Sequence, residues 1–319
     1  MLILVTGGGG FVGRRLCLFL AELGHRVVSV QRRPVSFLHE RVKTAVVDDL
    51  CNKEALRSLL AGVDAVVHLA ARAHVLRETA GDSLAAFRHT NVEGTTAVAS
   101  TAGSCRVRRF VYISSVGVHG RSSSSTPFTE VSPPNPEDAY ALSKLEGEAT
   151  VIGLARDNGM EVVIIRPPLV HGPGVKGNFL RLLDVAGSGI PLPVSGCRAA
   201  RSLIGVDNLC ALIEIAVRHP AAAGEVLLAA DEQDLSTAEL IRLLRRLMKL
   251  PPRMFWLPEP ALRLTATVTG RLLDYRRLTE PLQVDSTRAR RLLGWKPVRS
   301  AEEGLADTVA WYLAGLAHS

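Results

Sequence analysis

Leu2-Ile3-Leu4-Val5-Thr6-Gly7-Gly8-Gly9-Gly10-Phe11-Val12-Gly13 opens the chain with a β-rich apolar run, a string of glycines and the first turn of a helical pattern. The apolar run at 2–5 reads as a buried strand, and the periodic pattern from about 11 to 23 as a helix. The glycines fit both G-x-x-G-x-x-G (Gly7, Gly10, Gly13) and G-x-G-x-x-G (Gly8, Gly10, Gly13). Glycine is needed in such a turn because a side chain would block backbone approach to a pyrophosphate seated on the free N–H groups of the helix start. A strand–turn–helix context is what the motif requires. Gly7, Gly10, Phe11, Val12 and Gly13 are therefore candidates to hold a dinucleotide.

Outward from this unit, apolar runs at 26–30, 44–47, 65–69, 110–113 and 162–165 alternate with helical patterns over 53–60, 83–104 and 138–157. The last helix carries a start signal, with Asn135 as N-cap, Pro136 at the first helical position, and Glu137 and Asp138 in the first turn. Such alternation predicts an α/β fold with a Rossmann-type doubly wound parallel sheet. Beyond residue 170 the texture changes. A loop at His171-Gly172-Pro173-Gly174, a helix over 178–186, an edge strand at 191–194, a strand at 201–206, a helix over 207–218 and a strand at 226–230 follow. Helices near 237–249 and 300–315 flank a proline-rich link. This pattern divides the chain into a dinucleotide-binding domain (1–171 and 201–230) and a smaller, discontinuous C-terminal substrate domain (172–200 and 231–319). The serines at 122–125 read as a flexible surface loop placed where a lid could be.

Composition narrows the function. The 319 residues are 47% hydrophobic and 22% charged, which excludes disordered and disulfide-scaffold classes. Five cysteines without a C-x-x-C suit a reducing compartment rather than a zinc site. The net charge of +7 is carried by scattered arginines, without a basic block interleaved with aromatics, so nucleic acid is not expected and anionic small ligands are. No uncharged apolar stretch reaches the ~18 residues of a membrane span, which predicts a cytoplasmic protein without membrane insertion. The stretch 254–273, with Trp256 and several leucines, is interrupted by Pro258, Pro260 and Arg263 and reads as packing within the substrate domain.

The dinucleotide fingerprint expects an acid after the second strand to hold the ribose 2′-hydroxyl. Gln31, Arg32 and Arg33 stand there instead. Arginine pairs with a 2′-phosphate that a carboxylate would repel, so NADP(H) is favoured over NAD(H). Asp48 and Asp49 follow the third strand; one of them faces the adenine amine, or they cap the helix starting near Asn52.

Tyr140 and Lys144 lie at i and i+4 on one helix face, and Ser115 follows the strand at 110–113. An adjacent ammonium is expected to lower the phenol pKa, while Ser115 holds a substrate oxygen as a hydride moves to or from a nicotinamide. These residues, with His68-Leu69-Ala70-Ala71, Asn91-Val92-Glu93-Gly94-Thr95, Ser114-Ser115, Arg166-Pro167, Val170-His171-Gly172-Pro173, Arg201-Ser202-Leu203-Ile204 and Leu293-Gly294-Trp295-Lys296-Pro297, make the chain resemble an extended short-chain dehydrogenase/reductase of the nucleotide-sugar epimerase/dehydratase type along nearly its whole length. The resemblance implies that Asn91 supports the proton relay and that Leu69, Ala70, Ala71 and Pro167 line the cofactor groove. It implies further that Asn178 and Arg201 reach the diphosphate of a nucleotide sugar, UDP-linked by this likeness, and that the helices at 83–104 and 138–157 form a homodimer interface.

Departures from the family pattern choose within it. Dehydratases of the family place an Asp-Glu pair after the catalytic Ser or Thr, where this chain has Val116 and Gly117. His119 and His171 replace the usual tyrosines, either as pocket hydrogen-bonders or as satisfied interior aromatics. No metal-ligand spacing links them to His68 or His74. The stretches around Arg72-Ala73-His74, Arg166–Gly174 and Gly189–Pro193 are similar to bacterial UDP-4-keto-6-deoxy-N-acetylglucosamine 4-reductases, although Ala199-Ala200 precede Arg201 where that group tends to carry Asn-Arg. The expectation is a nucleotide-sugar 4-ketoreductase, with a 4-epimerase holding NAD as the alternative and a non-catalytic NADP sensor a less favoured third.

Overall fold

The computed structural model describes residues 1–37, 39–73, 83–270 and 272–317. The first half of the chain runs β1 (Leu2–Thr6), α1 (Phe11–Glu22), β2 (Arg26–Gln31), β3 (Val42–Val46), α2 (Lys53–Leu60), β4 (Ala65–His68), α3 (Ser83–Arg88), α4 (Gly94–Ser104), β5 (Arg109–Ile113), α5 (Ala139–Asn158) and β6 (Glu161–Arg166). Then come β7 (Leu169–His171), α6 (Gly177–Gly187), β8 (Ala200–Arg201), β9 (Leu203–Gly205), α7 (Val206–Arg218), β10 (Val226–Leu228), β11 (Leu235–Ser236), α8 (Thr237–Leu247), α9 (Glu259–Val268), α10 (Leu272–Thr279), α11 (Thr287–Leu293) and α12 (Ala301–Leu316).

Seven strands form one parallel sheet in the order β10-β6-β5-β4-β1-β2-β3, so the chain leaves β1 toward one edge and returns to build outward to the other. The period-2 alternation of strand side chains decides what each face buries. Ile3, Val5, Val67, Val111, Val163 and Ile165 meet α1 and α7 on one face. Leu4, Val66, Phe110, Tyr112, Val162 and Ile164 meet α2, α4 and α5 on the other. Both faces are covered, which is why these strands read as continuous apolar runs. A third cluster joins Phe179 and Leu183 of α6, Leu240 and Leu244 of α8, and Leu305 and Val309 of α12. Phe11 packs against both the first and the third cluster.

Several expectations need correction. The helix at 83–104 runs through as expected but is not regular: between α3 and α4 it widens into a π-turn, His89–Glu93, centred on Asn91. The N-cap of α5 is Asp138, whose side chain accepts from Ala141 N at 2.8 Å. Asn135 lies outside the helix because its N–H donates to Val118 O and the Glu137 carboxylate accepts from Arg121 N, which holds the chain extended up to Asp138. The edge strand at 191–194 reduces to one bridge between Leu192 and Met254, while β7, whose last residue His171 the sequence placed in a loop, pairs with β9. The serine stretch is tethered rather than loose: Ser123 is buried, its N–H donates to Pro281 O, and its Oγ accepts from Gln283 N. The 254–273 stretch packs only in part, through Met254, Leu262 and Ala266. Trp256 is 67% exposed, Leu264 65% and Val268 79%, because α9 rests on its neighbours through few of its apolar residues. Among the described residues no helix is long and apolar enough to cross a membrane.

Candidate active site

The glycine turn joins β1 to α1 at the carboxyl ends of the strands. Gly7 adopts a left-handed backbone (φ 72°), and a Cβ there would stand 2.8 Å from Ala70 N. A Cβ on Gly13 would run into Gly7 O, so Gly7, Gly10 and Gly13 form the register that the turn uses. Gly8 is tight for a different reason, since it faces the Ser29 hydroxyl of β2. Gly10 precedes α1 with no side-chain cap, which leaves the helix's first N–H groups for a ligand. Phe11 and Val12 are half-buried beside it, with Phe11 against Gly172 and Gly174. A pyrophosphate fits this turn: the cradle is bare backbone, and Gly7, Gly8 and Gly13 leave no room for a side chain.

At the end of β2, Gln31 is buried, and its amide accepts from Ser29 Oγ and donates to Val35 O. It is thus turned into the protein rather than toward a ribose. Arg32 and Arg33 beside it are exposed, with no ion pair among the described residues. Asp49 Oδ1 accepts from Cys51 N, and Asn52 caps α2, so Asp48, exposed and outside these bonds, is the carboxylate open to an adenine. Asp49, Cys51 and His89 also bring three potential ligand atoms within 4.8 Å of one another, a grouping that their separation in sequence conceals; the His89 ring is bonded to Glu93.

Ser115 ends the strand β5 segment and caps a 3-10 turn, Val116–His119, by accepting from Gly117 N at 3.1 Å. A Cβ on Gly117 would lie 3.4 Å from Ser115 Oγ and 3.6 Å from Ala141 Cβ, so Ser115 sits beside the first turn of α5, where Tyr140 and Lys144 project. Phe87 packs edge-on against Tyr140 with ring centroids 6.2 Å apart. Lys144 is buried, with Nζ 4.1 Å from the centre of the Tyr112 ring. Burial pushes Tyr140 up to about 12, helped by the Asp138 charge, and pushes Lys144 down to about 7 against the pull of Glu148. The expected lowering of the phenol by its neighbour is not found, because the ammonium lies on the Tyr112 ring and desolvation outweighs it. In this state Tyr140 is a neutral phenol, able to donate.

Asn91 is fully buried in the π-turn. Its Oδ1 accepts from Arg72 N at 2.7 Å, and its Nδ2 donates to Arg72 O and Ser143 Oγ, while Ser143 in turn donates to Tyr140 O. Asn91 therefore fixes the loop after β4 to the catalytic helix. Ala70 and Ala71 are half-buried in that loop, and Leu69 N and Ala70 N donate to Thr6 O and Oγ1. Arg72 stacks over Phe87 at 5.7 Å. Pro167 is buried, its carbonyl accepting from Val116 N at 2.9 Å.

Of the two readings left open for His119 and His171, the packing matches interior aromatics. His119 is buried, stacked on Phe128 at 5.1 Å, and its Nε2 accepts from Arg166 Nη1 at 3.0 Å. His171 is fully buried, stacked on Phe179, with Nε2 3.5 Å from Asp231. Each ring is buried and stacked on a phenylalanine. Asn178 is half-buried in the first turn of α6. Arg201 lies on β8, donates to Glu280 O at 2.8 Å, and has its pKa lowered by burial and by the nearby Arg277 guanidinium. Two guanidiniums so close favour an anion between them. His74 lies outside the described residues. Sequence reading gave no role to Ser143 and Glu148 and quoted Arg166 only as a family match; for the helix residues the signal was polar side chains at i, i+3, i+4 and i+8 from Tyr140, on a face that must be buried.

Comparison with known proteins places the chain. The family model for the NAD dependent epimerase/dehydratase family matches residues 3–229. The chain is 38% identical over 318 residues to a UDP-glucose 4-epimerase of Vibrio cholerae, covering 98% of this chain and 95% of that protein. Among solved structures, a dTDP-glucose 4,6-dehydratase double mutant of Streptomyces venezuelae superposes with a TM-score of 0.80 at 26% identity, over 100% of this chain and 98% of that one. A UDP-glucuronic acid 4-epimerase of Bacillus cereus in complex with NAD does so with a TM-score of 0.80 at 21% identity, over 98% and 99%. The chain belongs to the NAD dependent epimerase/dehydratase family of enzymes.

Proposed function

We propose that this enzyme is a nicotinamide-dependent 4-ketoreductase of a nucleotide-diphosphate sugar, a UDP-4-keto-6-deoxy-hexosamine, and that it prefers NADPH. The observation that carries the reading is the ribose end: Gln31 turned inward, no carboxylate in its place, and Arg32 and Arg33 exposed without ion pairs. A 2′-phosphate gives those guanidiniums a partner. Gly7, Gly10 and Gly13 with the start of α1 hold the pyrophosphate, Asp48 the adenine, and Ala70, Ala71 and Pro167 the nicotinamide end. The bound cofactor supplies the hydride.

The rest is done by the chain. Ser115 hydrogen-bonds the substrate ketone oxygen, and Tyr140, held as a neutral phenol, donates its proton to that oxygen as it becomes a hydroxyl. Asn178 and Arg201 bind the sugar's diphosphate, α6, α8 and α12 carry the substrate-binding part of the chain, and two copies pair through 83–104 and 138–157. Val116 and Gly117 offer no acid–base group after Ser115, which argues against water elimination from the sugar.

The second reading, a 4-epimerase with tightly held NAD, is favoured by the name of the Vibrio cholerae relative. Nicotinamide absorbance decides between them. Stoichiometric NADPH oxidation on adding UDP-4-keto-6-deoxy-N-acetylglucosamine is the expected result. No net oxidation, with NAD released on denaturation and UDP-hexosamine epimers interconverting, would establish the epimerase.

A further inference from the structure

Behind the reacting groups lies a buried ion pair that neither reading uses. Glu148 stands one turn beyond Lys144, so Tyr140, Lys144 and Glu148 share one stripe of α5. Its carboxylate accepts from Arg166 Nε at 2.9 Å and Nη2 at 2.5 Å. Arg166 Nη1 donates to His119 Nε2, and His119 ends the 3-10 turn that Ser115 begins. Arg166 is also the last residue of β6, directly before Pro167, whose carbonyl binds Val116 N. The three side chains are 2%, 6% and 3% exposed. Buried ion pairs seldom stabilise a fold more than apolar residues of the same volume would, so stability alone does not account for one here.

We propose that Glu148 and Arg166 are positioning residues for proton transfer: their mutually neutralised pair locks the catalytic helix to the Ser115 turn and balances the field felt by Lys144 and Tyr140. The inference rests on the roles given above to Tyr140, Lys144 and Ser115. Among the described residues, Lys144 shares its helix face with Tyr140 and Glu148 and meets Tyr112 from β5 and His68 from β4, with Arg166 and His119 behind the carboxylate. Asp138 acts on Tyr140 from the helix start. His68 and His119 are both held neutral by burial, with Lys144 and Arg166 adding to this in turn. Glu148 is the anion that supports a charged Lys144, and Arg166, bonded to both oxygens of that carboxylate, is placed to offset it.

Opposite charge deletions must therefore act in opposite directions. Glu148→Gln leaves the Arg166 charge facing the centre and should move the pH–rate profile toward acid by about 1 in pH; Arg166→Gln leaves Glu148 unopposed and should move it about as far toward alkali. Turnover should fall about 10-fold in each. The neutral pair Glu148→Gln/Arg166→Gln should return the profile to its wild-type position, and Arg166→Lys should lower turnover without moving it. The same shifts should appear in the ultraviolet phenolate titration of Tyr140, taken as the difference from Tyr140→Phe in each background. Losses of activity with no shift, or shifts in one common direction, would overturn the proposal and leave the pair a purely structural one. If one single variant does not fold, the direction of shift in the other decides. Absence of turnover on every sugar tested would defeat the functional reading only, because the phenolate titration needs no substrate.

Discussion

The reacting end of the cofactor groove and its ribose end are built in opposite ways. Around Tyr140 the buried polar side chains are tied to one another: Asn91 to Arg72 and Ser143, Glu148 to Arg166, Arg166 to His119. Around Arg32 and Arg33 the side chains are exposed and bonded to nothing among the described residues. The difference follows from what each end must do. Proton transfer needs groups whose charge state is set by desolvation and held in one geometry. Choosing between a 2′-hydroxyl and a 2′-phosphate needs only a charge within reach, and a solvated guanidinium supplies that at little cost to folding. Substitutions at the first end should therefore cost catalysis or stability outright, and those at the second should change preference alone.

The largest effect belongs to Tyr140→Phe, which removes the proton and keeps the ring against Phe87. Turnover should fall about 10³-fold while cofactor affinity stays within about 2-fold, by steady-state kinetics and fluorescence titration. Retained turnover would remove Tyr140 from the reaction. Gly7→Val comes next. It places a Cβ 2.8 Å from Ala70 N at a left-handed backbone position, so cofactor affinity should weaken about 100-fold in a calorimetric titration.

His68 tests the buried end through pH. Its ring bridges Thr6 and Thr95, and burial holds it near 3 in the folded state against an ordinary 6.5. As pH falls below 6.5 the unfolded chain binds a proton that the folded chain refuses until about 3, so stability declines through that window. Between pH 6.5 and 5 the loss should be about 2 kcal/mol. Urea midpoints measured across this range should show it, and His68→Gln should flatten the slope. An unchanged slope in the variant would assign the acid sensitivity elsewhere. At the ribose end, Arg32→Ala/Arg33→Ala should raise the KM for NADPH about 10-fold and leave that for NADH unaltered. Equal losses with both cofactors would mean that the two arginines do not read the phosphate.

These contrasts also explain what could be read from the sequence. The glycine turn, the sheet strands and the Tyr140–Lys144 spacing were legible because backbone sterics and strand or helix period leave their mark locally. The π-turn at Asn91 was not, since the extra residue is stabilised by bonds to Arg72 and Ser143, far away in the chain. Asn135 carried a good capping signal and still lost to Asp138, because Arg121 and Val118 hold the intervening residues extended. The charge state of the Tyr140–Lys144 pair was misjudged for a related reason: spacing shows adjacency, whereas the direction of the shift depends on how much water the fold removes. His119 and His171 looked like site residues by position, and only the packing of Phe128 and Phe179 over them shows otherwise.

The smallest effect is expected where the sequence misled most. Trp256, Leu264 and Val268 were assigned to packing from their apolar character, yet they stand largely in solvent. A large apolar side chain contributes to stability through the area it removes from water, and these remove little. Leu264→Ser/Val268→Ser should change the urea midpoint by less than about 0.5 kcal/mol equivalent, against about 3 kcal/mol for Leu244→Ala in the buried α8 seam. A loss comparable to that of Leu244→Ala would mean that α9 is covered in the protein in solution, by a closing movement of the chain or by a second copy, and the two are separable by whether the loss depends on protein concentration.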